Sequence, residues 1–410
     1  MTVNPPRLES LEGQLELLRT YREGLLNDTL PFWFPRCVDT LHGGFLHLLD
    51  RDGAIIDDDK SVWAQGRMAW MLMTLYNVHE HRSEWQRWAE QGLRFIEKHC
   101  FDRDGRMFFQ VARDGTPIRK RRYAYSESFA AIAFAAHYKA TADARSAERA
   151  CQLFEQFVRW NFTPGLMHPK FTDARPFIGL APRMITLVTA QELRANLGED
   201  PTFNSWIDRC IGEIERLFVK PDLGVVMESV SPEGAIVDHA DGRLLNPGHA
   251  IEGAWFILWE GKYRNDSQLI RLGCNILDWM WNRGWDQEFG GLYYFRDVFD
   301  RPVQEYWHDM KFWWPHNEAI IATLLAYLLT GNSRYALWHD QVHRWSYEHF
   351  ADPEFGEWFG YLHRDGTPSN HMKGSLWKSF FHFPRMQWIC WQLLQESLSG
   401  ISQQDLKAME

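Results

Sequence analysis

An all-helical barrel, (α/α)6, with short β-hairpins at one mouth is the fold this sequence predicts, and three observations carry it. A glycine-containing turn recurs about every 60 residues, the helices on either side of each turn differ in polarity, and the remaining links are short. The turns are His42-Gly-Gly-Phe45, Asp104-Gly-Arg-Met107, Asp222-Leu-Gly-Val225, Phe289-Gly-Gly-Leu292 and Phe355-Gly-Glu-Trp358, with a degenerate sixth at Pro164-Gly-Leu-Met167. Self-similarity at a fixed period is the mark of a repeat architecture.

The segment before each turn is amphipathic. Trp85, Trp88, Ala89, Leu93 and Ile96 form one helical stripe, and Leu269, Leu272, Ile276, Leu277 and Met280 another. The segment after the turn is apolar all round, as in Phe129 to Ala136, Ala254 to Leu258 and Ile320 to Leu329. One-sided helices cover a core and all-round apolar helices are buried in it, so six alternations give two concentric rings. Several copies continue into a second turn (Arg51-Asp-Gly53, Arg113-Asp-Gly115, Pro232-Glu-Gly234, Arg364-Asp-Gly366), which reads as hairpins. The other links, such as Thr141-Ala-Asp143, Leu197-Gly-Glu199, Arg264-Asn-Asp266 and Thr330-Gly-Asn332, are short and polar. All elaborated loops therefore fall on one face, where function concentrates. No Pro/Gly/Ser-rich linker divides the chain, so residues 1–410 are expected to form one domain.

Composition removes several function classes. A net charge of -10 argues against nucleic acid and anionic membranes. The longest apolar stretch, Ala319 to Leu329, is too short to span a bilayer, and Met1 to Ser10 lacks a signal core. Six scattered cysteines without a CxxC pair fit free thiols in a reducing, cytoplasmic setting. Most of the 21 tryptophans are expected in helix contacts, a few on a sugar site.

If the inner helices start at the hairpin end, their first turns face one cavity. The polar residues there are Arg67, Glu127, Arg183, Asn246, His249, Glu252, His316, Glu318, His382 and Arg385, with Trp314 beside them. A histidine at a helix start is ordinarily a cap. His249 and His382 are read as catalysts because each adjoins a helix-starting proline and heads an apolar inner helix. A buried arginine on such a helix, Arg67 or Arg385, needs a partner or a task. His249 and Glu252 lie one turn apart and could share a metal, but no H-E-x-x-H or Asp-rich loop is present, and no metal is expected.

At these residues the sequence resembles the N-acylglucosamine 2-epimerase family. The matching segments are Val62-Trp-Ala-Gln-Gly-Arg67, Gly242 through Asn246-Pro-Gly-His249 to Glu252, Lys311-Phe-Trp-Trp-Pro-His316, Asp352 through Leu362, and Lys373-Gly through Lys378 to His382-Phe-Pro-Arg385. They run over almost the whole chain. The resemblance implies the (α/α)6 barrel, a sugar substrate, His249 and His382 as catalytic histidines, and Arg67, Glu252 and Arg385 as sugar-binding or supporting groups. Asn246, Trp314, His316 and Glu318 complete the expected substrate-binding set. Two departures stand out: Phe380 where the family often has cysteine, and Ser375 within the family's Lys-Gly-Gly. Some members are activated by ATP, yet Phe162 to Pro176 holds no Gly-rich phosphate cradle, so no cofactor is expected and nucleotide activation is not carried over. Homodimerisation stays open.

The implied reaction interconverts N-acetylglucosamine and N-acetylmannosamine. C2 loses a proton beside the open-chain aldehyde and regains one on the other face, and two histidines suit two faces because both protonation states are accessible near neutral pH. An aldose–ketose isomerase of the mannose/fructose type and a cellobiose 2-epimerase are the alternatives. A more distant one is an (α/α)6 glycoside hydrolase using Glu127 and Glu318.

Overall fold

The computed structural model describes residues 6–399, and twelve helices among them form two rings. The outer helices are α1 (Leu11–Glu23), α3 (Ser83–His99), α5 (Ala144–Phe162), α7 (Pro201–Glu213), α9 (Ser267–Gly284) and α11 (Ser333–His349). The inner ones are α2 (Val62–Val78), α4 (Tyr125–Thr141), α6 (Ala181–Leu197), α8 (Pro247–Arg264), α10 (Trp313–Thr330) and α12 (His382–Leu398). Polarity sorts them as the sequence implies. Every residue of α10 from Trp313 to Ala326 is buried, whereas α3 buries only one stripe, including Trp85, Ala89, Leu93 and Ile96. α1 continues through a π-helical turn, Gly24–Thr29, into Leu30–Trp33.

The short links follow one plan. The inner helix ends in a left-handed residue (Ala142, Asn265 or Gly331), and the next residue caps the outer helix. Asp143, Asp200, Asp266 and Asn332 each accept a bond from an N–H of the first turn of their helix, satisfying donors that otherwise lack partners.

At the other end the glycine turns close small hairpins, seen in the bridges Val38–Phe45, Phe101–Met107, Trp285–Leu292 and Ala351–Trp358 and in the paired Val219–Lys220 and Val225–Val226. The degenerate copy forms a turn instead, in which the Leu166 N–H donates to the Thr163 carbonyl. The strand entering an inner helix pairs with the hairpin of the following repeat: Lys60–Ser61 with Gln110–Val111, Ile178–Gly179 with Ser229–Val230, Leu244–Leu245 with Arg296–Asp297, and Lys311–Phe312 with Tyr361–Leu362. Backbone bonds between Leu49 and both Lys373 and Gly374 join the sixth repeat to the first.

Three buried ion clusters fasten this mouth. Lys60 Nζ lies 2.8 Å from Asp39, Lys311 Nζ 3.0 Å from Asp286 and Lys373 Nζ 3.1 Å from Asp352, with every one of these side chains fully buried. Each aspartate also receives an arginine from the second turn of the following hairpin: Arg113 on Asp39, Arg364 on Asp286 and, across the closure, Arg51 on Asp352. The recurring Arg-Asp-Gly turns are thus the outer half of a clamp between repeats. Removing one member of a buried pair strands the other charge. Lys60→Met is expected to lower unfolding free energy by about 3–5 kcal/mol in urea titrations, with the double replacement Asp39→Leu/Lys60→Met less damaging. Equal loss from both would show that the pair itself is not what holds the hairpin.

Candidate active site

The first turns of the inner helices surround a cavity of about 1330 Å³. His249 is positioned by its helix start: the Asn246 side chain caps α8 by accepting from the His249 N–H at 3.0 Å. The ring then turns Nδ1 to Glu228, whose two oxygens both lie at 3.0 Å. Since a carboxylate only accepts, Nδ1 carries a proton and Nε2 is the nitrogen left to the cavity. Burial works against charge on this ring. The Glu228 carboxylate, by its charge and its hydrogen bond, with Glu252 and Glu318 behind it, prevails and raises the pKa above the ordinary histidine value.

His382 begins α12 and points Nδ1 at Glu318 Oε1, 2.8 Å away. Its pKa is driven the other way, well below the ordinary value, by burial and then by the Arg385 and Arg67 cations. The indole of Trp314 stands beside both rings, with centroids 4.9 Å from His249 and 6.0 Å from His382. Beneath them Arg385 donates to Glu252 at 2.9 Å and to Glu318 at 2.5 Å. The other Glu318 oxygen accepts from Trp255 Nε1 at 2.7 Å. Arg67 is different. Its guanidinium lies over Phe129 (4.1 Å) and Phe381 (4.6 Å) and forms no ion pair among the described residues, and its Nε is buried without a partner. Burial and Arg385 pull its pKa down to about 9, so it is still a cation at neutral pH. A desolvated cation facing a cavity and lacking a carboxylate is suited to a negative charge that develops on a bound molecule.

Arg67, Trp314, His249, Glu252, His382 and Arg385 therefore line one cavity, with Arg183 on its rim, where it pairs with Glu213. Four expected site residues stand outside it. Asn246 is the helix cap. Glu318 is fully buried beneath His382 and Arg385, where it positions them. His316 is fully buried too: its Nε2 accepts from the Leu292 N–H at 2.9 Å, its Nδ1 lies 2.6 Å from the Phe312 carbonyl, and burial lowers its pKa to about 3. Glu127 accepts from the Met107 N–H at 2.7 Å, and burial raises it to about 7. Gln65 makes the same bond to the Phe45 N–H. Gln65, Glu127 and His316 are thus hairpin anchors. Successive residues of an α-helix turn by about 100°, so Gln65 and His316 face away from Arg67 and Glu318, which follow two positions later. The glycine pair of the hairpin fits this anchor, because a Cβ on Gly291, held at φ +70°, would sit 2.9 Å from His316 Nε2.

Glu228 was not legible as a site residue. It sits two residues after the hairpin-closing Val226, the register Tyr294 occupies after Leu292 and Phe109 after Met107. Aligning the hairpins by their bridges, rather than the helices by their starts, is the signal that would have found it.

A profile of the N-acylglucosamine 2-epimerase family matches residues 43–384. The chain belongs to the N-acylglucosamine 2-epimerase family. It is an enzyme, an isomerase of that type. The N-acylglucosamine 2-epimerase of Bos taurus is 34% identical over 96% of this chain and 95% of its own length, and that of Homo sapiens 32% identical over 97% and 96%. The cellobiose 2-epimerase of Bacillus thermoamylovorans B4167 shares the fold, with a TM-score of 0.80 at 19% identity over 93% of this chain and all of that one.

Within this family member, Glu252, Glu318 and His382 offer ligand atoms within 4.8 Å of one another, a spacing that would suit a metal ion. The cation they surround is Arg385, whose guanidinium bonds both carboxylates. Arg67 and Arg385 therefore respond differently to replacement. Arg67→Met is expected to lower kcat about 10²–10³-fold while leaving the thermal midpoint unchanged or higher, since no partner is stranded. Arg385→Met strands Glu252 and Glu318 and should lower the midpoint as well. If Arg67→Met unfolds as readily as Arg385→Met, Arg67 has a structural partner.

The opposed shifts also fix a pH profile. A form with His382 neutral and His249 protonated persists from the lowered pKa of His382 to the raised pKa of His249, so kcat/KM should hold a plateau between those two limbs. Glu228→Gln removes the charge that raises His249, and the alkaline limb should move toward lower pH while the acid limb stays. An unmoved alkaline limb would separate it from His249.

Proposed function

We propose that this enzyme interconverts N-acetylglucosamine and N-acetylmannosamine by proton transfer at C2 between two histidines. The observation that carries the reading is the pair His249 and His382, facing one cavity with their pKa values pushed in opposite directions. Such divergence assigns acid and base. Neutral His382 removes the C2 proton of the open-chain sugar through Nε2, and the electron pair passes to the carbonyl oxygen as an enolate. Arg67 stabilises that oxygen. Protonated His249 returns a proton to C2 on the opposite face, and the two rings exchange protonation states. For the other epimer the roles reverse. The residues need no redox or metal chemistry for these steps, and no cofactor is invoked. The acylated nitrogen on C2 disfavours ketose formation, because C2 lacks the hydroxyl that would become a carbonyl.

The glycosidase alternative loses its carboxylates, since Glu127 and Glu318 do not face the cavity. Among the described residues no helix is long and apolar enough to cross a membrane, and the cysteines are free, which is in keeping with a cytoplasmic enzyme.

NMR in deuterated water tests this. N-acetylglucosamine and N-acetylmannosamine should interconvert, with deuterium at C2, faster than cellobiose, mannose or fructose reacts. His249→Asn and His382→Asn should each lose about 10²–10⁴-fold in net epimerisation while exchanging the C2 proton of opposite epimers. Mannose-to-fructose conversion dominating the panel would replace this reading by the isomerase. Exchange of the same epimer by both variants would remove the division of faces.

A further inference from the structure

Beneath the histidines the cavity continues along the barrel axis. It passes Trp70 and Thr74 on α2, Glu192 and Asn196 on α6, Trp259 on α8 and Trp388 on α12. The last residues on its wall, Val78, Lys139 and Ala195, are exposed and belong to the final turns of α2, α4 and α6. The space therefore reaches the surface at the base of the barrel as well as at the mouth. Its volume, about 1330 Å³, exceeds the roughly 300–1,000 Å³ of a pocket that encloses one drug-sized ligand. One hexosamine held between the histidines leaves the lower part free.

The wall of this lower chamber is polar and aromatic at once. Trp70 Nε1 donates to Glu192 Oε2 at 3.1 Å, and the Asn196 amide approaches the same oxygen at 3.5 Å. Glu192 Oε1 forms no hydrogen bond among the described residues, although the carboxylate lies inside the barrel. Burial raises its pKa above the ordinary carboxylate value, against the opposing pull of Trp70, Arg385 and Lys139. The buried Thr74 likewise forms no side-chain hydrogen bond among the described residues, and Trp388 Nε1 is a buried donor without an acceptor. Trp259 and Trp388 line the cavity while only half-buried.

These groups select by charge and by shape. A cationic ligand is disfavoured, because Arg385 and Lys139 already act on Glu192 from above and below. An anion would meet the Glu192 carboxylate, and a hydrocarbon would leave Glu192 Oε1 and the Thr74 hydroxyl unpaired in a dry site. A neutral polyol suits the whole set. Its hydroxyls both donate to a carboxylate and accept from a hydroxyl, while the C–H face of a sugar ring covers indole surface.

We infer that the lower chamber is a second sugar site, which holds a neutral pyranose beneath the one at the histidines, with hydroxyls on Glu192 and Thr74 and a C–H face against Trp259 and Trp388. None of these four residues takes part in the proton transfer, and the chamber has its own opening at the base.

The test is a titration of the enzyme carrying carbon-13 in its isoleucine δ-methyls, followed by NMR. The probe is methyl β-D-glucopyranoside, whose blocked C1 cannot open to an aldehyde, so it binds without turnover. Ile132 and Ile389 line the lower stretch of the cavity, and Ile178, on a hairpin strand, lines the mouth. The glucoside should shift Ile132 and Ile389 saturably, with a dissociation constant distinct from that of any response at Ile178. Glu192→Met should weaken the lower response about tenfold or more, as for loss of a hydrogen bond to a charged group, and leave Ile178 as in the wild type. If Glu192→Met fails to fold because the Trp70 N–H is stranded, Val188→Trp, which fills the chamber from α6, should abolish the lower response. Tetramethylammonium chloride and sodium sulfate, the cationic and anionic probes, should leave both lower methyls in place. No saturable shift, a shift at Ile178 alone, or a lower response that survives the variants overturns the site. A response to tetramethylammonium or sulfate in place of the glucoside overturns its ligand class and the proposal with it. Because the probe is not turned over, failure of N-acetyl sugars to epimerise would sink the reading above and leave this result standing.

Discussion

Burying charge on helices that are otherwise apolar is the constraint from which this site follows. Glu318 is fully buried on α10, and it is tolerated because three donors converge on it from α8 and α12: Trp255, His382 and Arg385. Those bonds fix the orientation of the His382 ring, draw Arg385 between two carboxylates and tie three neighbouring inner helices together at one depth. Satisfied fully, such a network specifies one arrangement; left with one member missing, it would be worse than an apolar core. The Asp–Lys–Arg clamps at the mouth repeat the logic on the rim, where Asp39, Asp286 and Asp352 each hold a hairpin to the strand that feeds an inner helix.

Against this background of paired charge, Arg67 is the exception. Every other charged group at the floor has its counter-charge in the protein, and Arg67 has aromatic rings. The free protein therefore presents a cation without an ion-pair partner to the cavity that both histidines line. A developing enolate completes the ion pair that folding leaves open, so transition-state binding and electrostatic relief coincide. The divergent histidine environments belong to the same arrangement: His382 lies among the cations, while His249 is turned outward to Glu228.

How much of this could be read from sequence depended on periodicity. The two rings were legible because polarity alternates between amphipathic stripes such as Trp85 to Ile96 and all-round apolar runs such as Ile320 to Leu329, and that alternation reports burial directly. The convergence of His249, His382, Arg67, Glu252 and Arg385 was legible from equivalent places in the repeats. The same logic over-reached at His316 and Glu127, because a repeat reuses structural positions as readily as functional ones. A helix start presents one residue to the hairpin and, two positions later, another to the axis, and sequence spacing alone does not set that rotation. Glu228 was missed for a related reason: it lies on a hairpin strand whose register emerges only from pairing with Ile178–Gly179 next door. The space along the axis was also illegible, since it depends on how far apart the inner helices stand.

The ring has a seam, and the seam is made where α1 meets α11 and α12. α1 packs against α12. Tyr21 bonds both His339 and His343, Arg7 reaches Asp340, and Arg51 reaches Asp352. Synthesis on the ribosome delivers these partners far apart in time: α1 emerges with Leu17, Tyr21 and Leu25 uncovered, and the His339 that Tyr21 bonds follows 318 residues later. Five apolar inner helices, α2, α4, α6, α8 and α10, must therefore wait in the nascent chain before the circle can close. His382, the base proposed for catalysis, arrives with the closing segment. Premature activity is excluded by geometry, and the time between the first and last repeat is when this chain is most exposed to association with others.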